Sequence, residues 1–512
     1  MNLVELFLNE SKNTALVDGK DRYTYEKLTH QSKNMAGALL SANLVKENDH
    51  VVLIANNSAE FMISYLAILC IGAICIPMDP HATDAERARD IGLVKPNLII
   101  CASENYVSPK TSEKIPLIEF NSVRWREFLK HSPIEVVVKN DDDIAVMLMS
   151  SPPNSPPRPA MLTHGSLRSN LDQANKNELI NVTSKDIVLA VLPMYHIFGL
   201  HVVAGLALKA GATLIIARTF DAIELSSLIS HNKVTILPAV PALFDVFVNT
   251  RAVTIDSMIK VRLFISGGSI LDSSTRTAFK NKFGADIGEG YGLTEASPMI
   301  SFQMAPKCEG DIGQVLEGIE IDIRDSTGNK APDNDVGQIV VRGTNIFKGY
   351  YSDSNSTAKV LDSNGWLFTG DIGMRDEEGS IILLERSSDV IVVDGFSVLP
   401  SEVEEVLNKS ELVNASIVVG DNSDVTGECV IAYIELVSDS AKNRSIEMDV
   451  NKIREDRKSE IQIREFCKSQ LARYKIPSKI IFTQNISATS RRKPLRKSLR
   501  GALMNLDYDS TL

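Results

Sequence analysis

A glycine-rich segment with an aromatic ring, a hydroxyl and a carboxylate lies at residues 288–295, Gly-Glu-Gly-Tyr-Gly-Leu-Thr-Glu. Glycines let the backbone approach a ligand closely, because they carry no side chain. Tyr291 can stack on a base, Thr294 can offer a hydroxyl to phosphate, and Glu295 can offer a carboxylate to Mg²⁺. Taken alone, the segment is also compatible with an ordinary glycine-rich turn.

Two companion segments favour a nucleotide site over unrelated turns. Residues 264–271, Phe-Ile-Ser-Gly-Gly-Ser-Ile-Leu, precede the first segment, and residues 365–371, Gly-Trp-Leu-Phe-Thr-Gly-Asp, follow it. Asp371 ends the last of these. A carboxylate at a tight glycine turn can accept both hydroxyls of a ribose, because it has two acceptor oxygens.

The elements that must position these residues are predicted from the apolar pattern. Short apolar runs at 51–54, 98–101, 187–192 and 212–216 predict buried strands, and the spacing of apolar residues at 59–70 predicts a helix. Strands and helices that alternate in this way are typical of layered α/β domains. We therefore expect an α/β fold for the large N-terminal part of the chain.

The pattern changes towards the C-terminus. Segments 319–323 and 338–343 predict a small β subdomain, and a separate α+β unit is expected after Arg386, with a strand at 390–393 and a helix at 400–407. The charged segment 445–464 is interpreted as a solvated connector and helix.

Composition limits the class of protein. A chain of 512 residues exceeds the roughly 250–300 residues at which a single core stops growing, so at least two domains are expected. The hydrophobic content of 44% and charged content of 23% are ordinary for a soluble globular protein. A net charge of −11 argues against a broad nucleic-acid-binding surface, and we expect no nucleic-acid partner.

Three observations bear on the compartment. The six cysteines show no C-x-x-C spacing, which favours free thiols in a reducing compartment. Residues 1–10 lack the pattern of a secretory signal, and the longest apolar stretch, 61–77, is shorter than the roughly 20 residues that span a bilayer. A cytoplasmic protein without a transmembrane segment is expected.

Further motifs carry a resemblance to a known family. In chain order they are 192–199 (Leu-Pro-Met-Tyr-His-Ile-Phe-Gly), 237–241 (Leu-Pro-Ala-Val-Pro), 343–351 (Gly to Tyr), Gly395-Phe396 with 400–404 (Pro-Ser-Glu-Val-Glu), and 474–477 (Tyr-Lys-Ile-Pro). Together with the three segments above, they make the chain resemble the adenylate-forming superfamily. This superfamily includes acyl-CoA synthetases, firefly luciferase and the adenylation domains of peptide synthetases, and free-standing acyl-CoA synthetases are the most similar.

The resemblance implies an N-terminal domain, residues 1–387, that binds ATP and the acyl group, and a small mobile C-terminal domain, residues 388–512. It implies an ATP-dependent ligase that activates a fatty or aryl carboxylic acid as acyl-AMP and transfers it to a thiol. ATP, Mg²⁺ and CoA are the implied cofactors. The phosphopantetheine of an acyl carrier protein is the alternative acceptor, and the resemblance says nothing about the oligomeric state.

Roles at the nucleotide are implied residue by residue. Tyr291 is expected to stack on adenine, with the backbone of Gly267, Gly268 and Gly292 close to it. Thr294 is expected to contact the α-phosphate.

The remaining polar roles concern the metal, the ribose and the reacting carboxylate. Glu295 is expected to hold Mg²⁺, and Asp371 and Arg386 to bind the ribose. Lys493 is expected to bridge the carboxylate of the acid and the α-phosphate, where it neutralises charge. Ser388 corresponds to the hinge, and Gly395 to the channel for the thiol arm.

The acyl side is described less completely by the sequence. His196 is expected near the acid's carboxylate, and the alternative is a hydrogen-bonded histidine in an aromatic core. Relatives that activate amino acids carry an Asp in this neighbourhood, and its absence favours an acid without an α-amino group. Ala239, Val240 and Gly268 are small or apolar, which is consistent with an apolar acyl tail.

The phosphate loop departs from the family pattern. Relatives carry Thr-Ser-Gly-Thr-Thr-Gly followed by Pro-Lys-Gly, whereas residues 150–161 here read Ser-Ser-Pro-Pro-Asn-Ser-Pro-Pro-Arg-Pro-Ala-Met. Proline removes backbone donors that such loops direct at phosphate. Ser151 and Ser155 keep side-chain donors, and Arg158 replaces the family lysine with another cation.

Two hypotheses follow from this departure. In the first, the chain is a working ligase whose altered loop handles phosphate differently. In the second, it is a non-catalytic relative that binds an acyl group, a nucleotide or a carrier protein.

Overall fold

The computed structural model describes residues 1–107, 115–150, 157–218, 220–271, 273–308, 310–325, 328–385, 391–393, 396–398, 400–423, 427–437 and 450–483. The described residues form two compact units. The first lies within Met1–Pro80, Ala88–Ser150 and Arg158–Glu385, and the second is formed mainly by the described residues after 390. The predicted boundary between residues 387 and 388 lies outside the described residues and stays a prediction.

The α-helices are α1 Tyr25–Ser41, α2 Ala59–Ile71, α3 Asp84–Val94, α4 Val123–Phe128, α5 His164–Lys176, α6 Leu206–Lys209, α7 Ala222–Asn232, α8 Pro241–Asn249, α9 Ile255–Met258, α10 Ser273–Phe283, α11 Ser354–Val360, α12 Pro400–Leu407 and α13 Val450–Gln470. A π-helix spans Phe198–Gly205, and 3₁₀ turns span Leu3–Leu6, Glu104–Tyr106, Thr294–Ala296 and Arg473–Lys475. Within the described residues, no helix is both long and apolar enough to cross a membrane.

The strands are β1 Thr14–Asp18, β2 Asp21–Thr24, β3 His50–Ile54, β4 Ile74–Met78, β5 Leu98–Cys101, β6 Leu117–Glu119, β7 Ile144–Ser150, β8 Arg158–Thr163, β9 Ile187–Ala190, β10 Thr213–Ile216, β11 Ile236–Ala239, β12 Leu263–Gly267, β13 Ile287–Gly292, β14 Met299–Gln303, β15 Gln314–Val315, β16 Ile319–Arg324, β17 Val336–Gly343, β18 Gly349–Tyr350, β19 Leu367–Arg375, β20 Ile381–Glu385, β21 Ile391–Val393, β22 Phe396–Val398, β23 Val413–Ser423, β24 Gly427–Leu436 and β25 Lys479–Phe482.

The described strands of the first unit form three sheets. Their orders are β15-β14-β13-β12-β11-β9-β10-β1-β2, β18-β8-β7-β4-β3-β5-β6 and β16-β17-β19-β20. The first two are largely parallel and lie between helices. Their strands are therefore short continuous apolar runs rather than alternating ones. The third is antiparallel and forms the β subdomain.

The helix α2 illustrates how the apolar pattern builds this core. Ser58 begins the helix by accepting a hydrogen bond from the backbone N–H of Phe61. Nearly every side chain from Ala59 to Ile71 is buried, because the helix lies inside the α/β layers rather than on their surface. The strand β4 begins at Ile74, three residues after the helix ends.

The second unit has a sheet of order β22-β21-β24-β23, with β25 parallel to β24. Helices α12 and α13 contribute to its core, where Val403, Leu407, Ile463 and Cys467 are fully buried. The helix predicted within 445–464 is present, and of its described side chains from 457 to 464 only Ile463 is buried. Ile463 and Cys467, four positions apart, place one face of this helix in the core of the unit.

The predicted fold class is confirmed, since a large α/β unit with a β subdomain is followed by a smaller α+β unit. The predicted strand at 187–192 is shorter than expected and ends at Ala190. At this end of the strand, the carbonyl groups of Ala190 and Leu192 accept hydrogen bonds from the Asn57 side chain. The six cysteines are free, as predicted.

Candidate active site

The glycine-rich segments meet because three neighbouring strands are parallel. Ala239 of β11 pairs with Ser266 of β12, and Gly267 of β12 pairs with Gly290 of β13. The carboxyl ends of β11, β12 and β13 therefore lie at one edge of the sheet, which is where open α/β sheets bind ligands. Gly268 follows β12 at φ +88°, a backbone conformation that glycine adopts readily.

Tyr291 and Asp371 are brought together across the first unit. The Tyr291 hydroxyl donates a hydrogen bond to Oδ2 of Asp371 at 2.8 Å, although the residues are 80 positions apart. Both side chains are largely buried, at 6% and 9% exposed. The residues predicted for the adenine and the ribose are therefore direct neighbours.

Glu295 lies in the 3₁₀ turn after β13, where half-buried Thr294 begins the turn. Its Oε1 accepts hydrogen bonds from the Ser150 hydroxyl at 2.5 Å and the Tyr350 hydroxyl at 2.8 Å. Burial, followed by the charge of Glu295, raises the pKa of Tyr350 above its usual range. The Tyr350 hydroxyl therefore stays protonated and acts as a donor to the carboxylate.

Arg158 begins β8 and lies beside this group. Its Nε donates to Oδ2 of Asp353 at 2.7 Å, and its guanidinium carbon lies 5.8 Å from the centre of the Tyr350 ring. The backbone N–H of Ser356 and, to a smaller extent, Arg158 hold the pKa of Asp353 below its usual value. Asp353 is therefore ionised at neutral pH, and the ion pair fixes one edge of the guanidinium.

His196 is exposed and follows a buried loop. Asn57 holds this loop, because its Oδ1 accepts from the backbone N–H of Met194 at 2.7 Å. The ring of Tyr195 lies 4.8 Å from the ring of His196. Burial and then Asp79 raise the pKa of Tyr195 above its usual range. The alternative of a core histidine at position 196 is wrong, because the side chain reaches solvent.

Several predicted site residues lie outside the described residues: Ser151, Ser155, Arg386, Ser388, Gly395 and Lys493. Their roles stay predictions. The described residues of the site therefore comprise those predicted for the adenine and the ribose, the carboxylate predicted for the metal, Arg158 and the loop of His196.

The side chains described at this site suit Mg²⁺ better than a metal ion that is coordinated by protein ligands alone. Within the described residues, no group of three or more His, Cys, Asp or Glu side chains is placed to hold an ion. Mg²⁺ is usually bound by one or two carboxylates together with substrate phosphates and water. Among the described residues, Oε2 of Glu295 accepts no hydrogen bond. It is also absent from the fully buried side-chain atoms that lack a partner, so it is accessible to such an ion.

Family models match both units of the chain. A model described as AMP-binding enzyme matches residues 8–351. The chain belongs to the AMP-binding enzyme family. A second model, described as AMP-binding enzyme C-terminal domain, matches residues 402–493, so both parts of this family's architecture are represented.

Individual members of the AMP-binding enzyme family support the assignment. 4-Coumarate–CoA ligase 3 of Oryza sativa subsp. japonica is 30% identical over 509 residues, which cover 95% of this chain and 89% of the relative. Crystalline ATP-bound MatB from Rhodopseudomonas palustris is 25% identical with a TM-score of 0.72, over 98% of this chain and 99% of that one. Amide bond synthetase McbA from Marinactinospora thermotolerans has a TM-score of 0.84 at 22% identity, over 97% and 99% of the two chains, and supports the fold alone.

These findings confirm the predicted adenylate-forming superfamily and an AMP-forming enzyme of the acyl-CoA ligase type. Sequence reasoning did not assign functions to Ser150, Tyr350 or Asp353. Ser150 immediately precedes the altered phosphate loop, and Tyr350 lies in the motif at 343–351, so position alone could have drawn attention to both.

Proposed function

We propose that this chain activates a carboxylic acid with ATP and transfers the acyl group to the thiol of CoA. The observation that carries the proposal is the hydrogen bond between Tyr291 and Asp371 at the ligand-binding edge of the sheet. Two residues with separate predicted contacts to one nucleoside are neighbours there. An aromatic ring and a carboxylate in this arrangement suit adenine and a ribose.

The first half-reaction is an in-line displacement at phosphorus. A carboxylate oxygen of the acid attacks the α-phosphorus of ATP, the bond to the bridging oxygen breaks, and pyrophosphate leaves. Thr294 is proposed to donate its hydroxyl to the α-phosphate, and Lys493 to neutralise the charge that accumulates when two anions approach. Glu295 would hold Mg²⁺, which would supply further charge neutralisation when bound.

Arg158 is proposed to bind the phosphates of ATP. Its Nε is occupied by Asp353, so the two terminal nitrogens remain to donate to phosphate oxygens. Ser151 and Ser155 are proposed to add side-chain donors in place of the backbone donors that prolines remove. This assignment lets a loop without glycine still bind triphosphate.

The second half-reaction forms a thioester. The sulfur of CoA attacks the acyl carbonyl carbon of acyl-AMP, the carbon–oxygen bond to AMP breaks, and AMP leaves. Ser388 is proposed as the hinge between the two half-reactions, and Gly395 as part of the channel for the pantetheine arm. The phosphopantetheine of an acyl carrier protein has the same thiol and is the alternative acceptor.

An aryl acid without an α-amino group is the proposed substrate class. The relatives named 4-coumarate–CoA ligase favour it, and so does the apolar character of Ala239 and Val240. His196, exposed beside Tyr195, is proposed to face the acid's carboxylate. Fatty acids are the alternative class.

The test is Mg-ATP-dependent release of pyrophosphate by the purified chain with a panel of aryl and fatty acids, followed by thioester formation with CoA. Lys493→Ala serves as the blank and is expected to abolish adenylate formation while leaving thioester formation from preformed acyl-AMP largely intact. Equal loss of both half-reactions would contradict the role given to Lys493. No pyrophosphate above the blank, together with no ATP binding by calorimetry, would favour the non-catalytic interpretation.

A further inference from the structure

Residues 345–350, which include β18, are hydrogen-bonded to the turn that contains Glu295. The backbone N–H of Phe347 donates to the carbonyl oxygen of Glu295 at 2.8 Å. The Asn345 side chain donates to the carbonyl oxygen of Ala296 at 2.8 Å, and the Tyr350 hydroxyl donates to Glu295 Oε1 at 2.8 Å. Two hydrogen bonds to backbone carbonyls of the turn therefore fix the distance that the third, between the Tyr350 and Glu295 side chains, must span.

The geometry of β18 explains why Tyr350 can reach the carboxylate. Tyr350 pairs with Ala160 of β8 in antiparallel register, which anchors its backbone beside the strand that follows the phosphate loop. Gly349 has φ +127°, and a Cβ there would lie 2.6 Å from a side-chain carbon of Thr357. Only glycine fits this close approach without displacing Thr357.

The hydrogen bonds to Glu295 are asymmetric. Both hydroxyl donors, Ser150 and Tyr350, meet the same oxygen, Oε1. A glutamate carboxylate rotates easily about its last torsion, because this torsion joins sp³ and sp² carbons. Two donors on one oxygen restrict that rotation and leave Oε2 to face the ligand side.

We propose that Tyr350 is a positioning residue that holds Oε1 of Glu295 so that Oε2 can bind the Mg²⁺ of Mg-ATP. The inference rests on the proposed function, because it requires Glu295 to be the metal-side carboxylate. Tyr350 itself does not touch the metal or the nucleotide in this role. Loss of its hydroxyl is therefore expected to change the Mg²⁺ concentration that ATP binding requires.

The experiment compares Tyr350→Phe with the matched control Tyr351→Phe. The first variant keeps the ring, which packs on Phe347 with 5.0 Å between centroids, and removes only the hydroxyl. The control removes a hydroxyl one residue away, from a ring that lies against His50. ATP binding is measured by calorimetry on the full chain at a series of free Mg²⁺ concentrations.

We expect the Mg²⁺ concentration that half-saturates ATP binding to rise about tenfold in Tyr350→Phe, as for loss of one hydrogen bond to a charged group. Tyr351→Phe is expected to match the wild type. In a Glu295→Gln background, the Tyr350→Phe change is expected to have little further effect, because the hydroxyl acts through the carboxylate.

Each other outcome overturns the inference in a distinguishable way. An unchanged magnesium requirement in Tyr350→Phe overturns the positioning role alone. A loss of ATP binding that is equal at all Mg²⁺ concentrations, or that persists fully in the Glu295→Gln background, indicates a merely structural role. If the wild-type chain binds no ATP with or without Mg²⁺, the proposed function fails and this inference fails with it.

Discussion

Replacing Asp371 by Asn perturbs the proposed nucleoside end of the site with little change in the shape of the side chain. The variant keeps an oxygen that can accept the hydrogen bond from Tyr291, but it removes the negative charge and converts one acceptor oxygen into a donor. A ribose hydroxyl that donates to a carboxylate loses a charged partner. Weaker ATP binding is therefore expected without loss of the fold.

The size of the expected change in Kd follows from the burial of Asp371 and from the number of hydrogen bonds that the substitution weakens. Asp371 is only 9% exposed, so water cannot easily replace the lost acceptor. Hydrogen bonds to charged groups contribute about 1.5–3 kcal/mol, which corresponds to a roughly 10- to 150-fold weaker Kd for ATP. The lower part of that range is expected, because the amide oxygen of Asn still accepts one bond.

The assay is calorimetric titration of the full chain with Mg-ATP, with thermal unfolding measured on the same samples. Asp376→Asn is the matched control, because this aspartate accepts hydrogen bonds within the turn after β19 and lies outside the site. The variant at 376 is expected to bind ATP like the wild type. An unchanged Kd in a stably folded Asp371→Asn would refute the assignment of Asp371 to the ribose.

Two further predictions concern Arg158 and a buried histidine. Arg158→Lys is expected to raise the KM for ATP about tenfold, as for one charge-assisted hydrogen bond lost, because a single ammonium cannot serve both Asp353 and phosphate equally well. Arg342→Lys, which disrupts a surface pair with Glu320, is the control and should leave KM unchanged. Burial lowers the pKa of His201 from 6.5 to about 4, so the folded state does not take up the proton that the unfolded chain binds below pH 6.5. Stability is therefore expected to fall between pH 6.5 and 4, by about 3 kcal/mol at the acid end. In urea unfolding, His201→Gln should reduce this dependence without removing it, because burial also lowers the pKa of His164 to about 4, whereas exposed His231→Gln should leave it unchanged.

The local part of the site was predictable from the sequence. Tyr291, Thr294 and Glu295 lie in one short segment, so any fold of that segment keeps them close. The apolar runs also predicted four of the buried parallel strands, β3, β5, β9 and β10, because a strand buried on both faces must be apolar throughout. The resemblance linked Asp371 to Tyr291, which no local pattern could have done across 80 residues.

What the sequence could not predict depends on long-range pairing. Tyr350 reaches Glu295 because β18 pairs with β8, and a two-residue strand leaves almost no periodic signal. The buried face of α13 is a second case. Ile463 and Cys467 are four positions apart on one helical face, but the charged residues around them hide that face in the composition of the segment.

The substitution of arginine for lysine and the glycine-free loop have one physical explanation under the proposed function. An ammonium is a single point charge, whereas a guanidinium has donors on three nitrogens in a fixed plane. Arg158 uses Nε for Asp353, which also caps α11 through the backbone N–H of Ser356. Its cation is thereby anchored to a strand and a helix end rather than to the loop. A cation anchored in this way does not depend on glycine conformations in the loop for its position. Restoring glycines in the loop should therefore matter less for ATP binding than breaking the pair between Arg158 and Asp353.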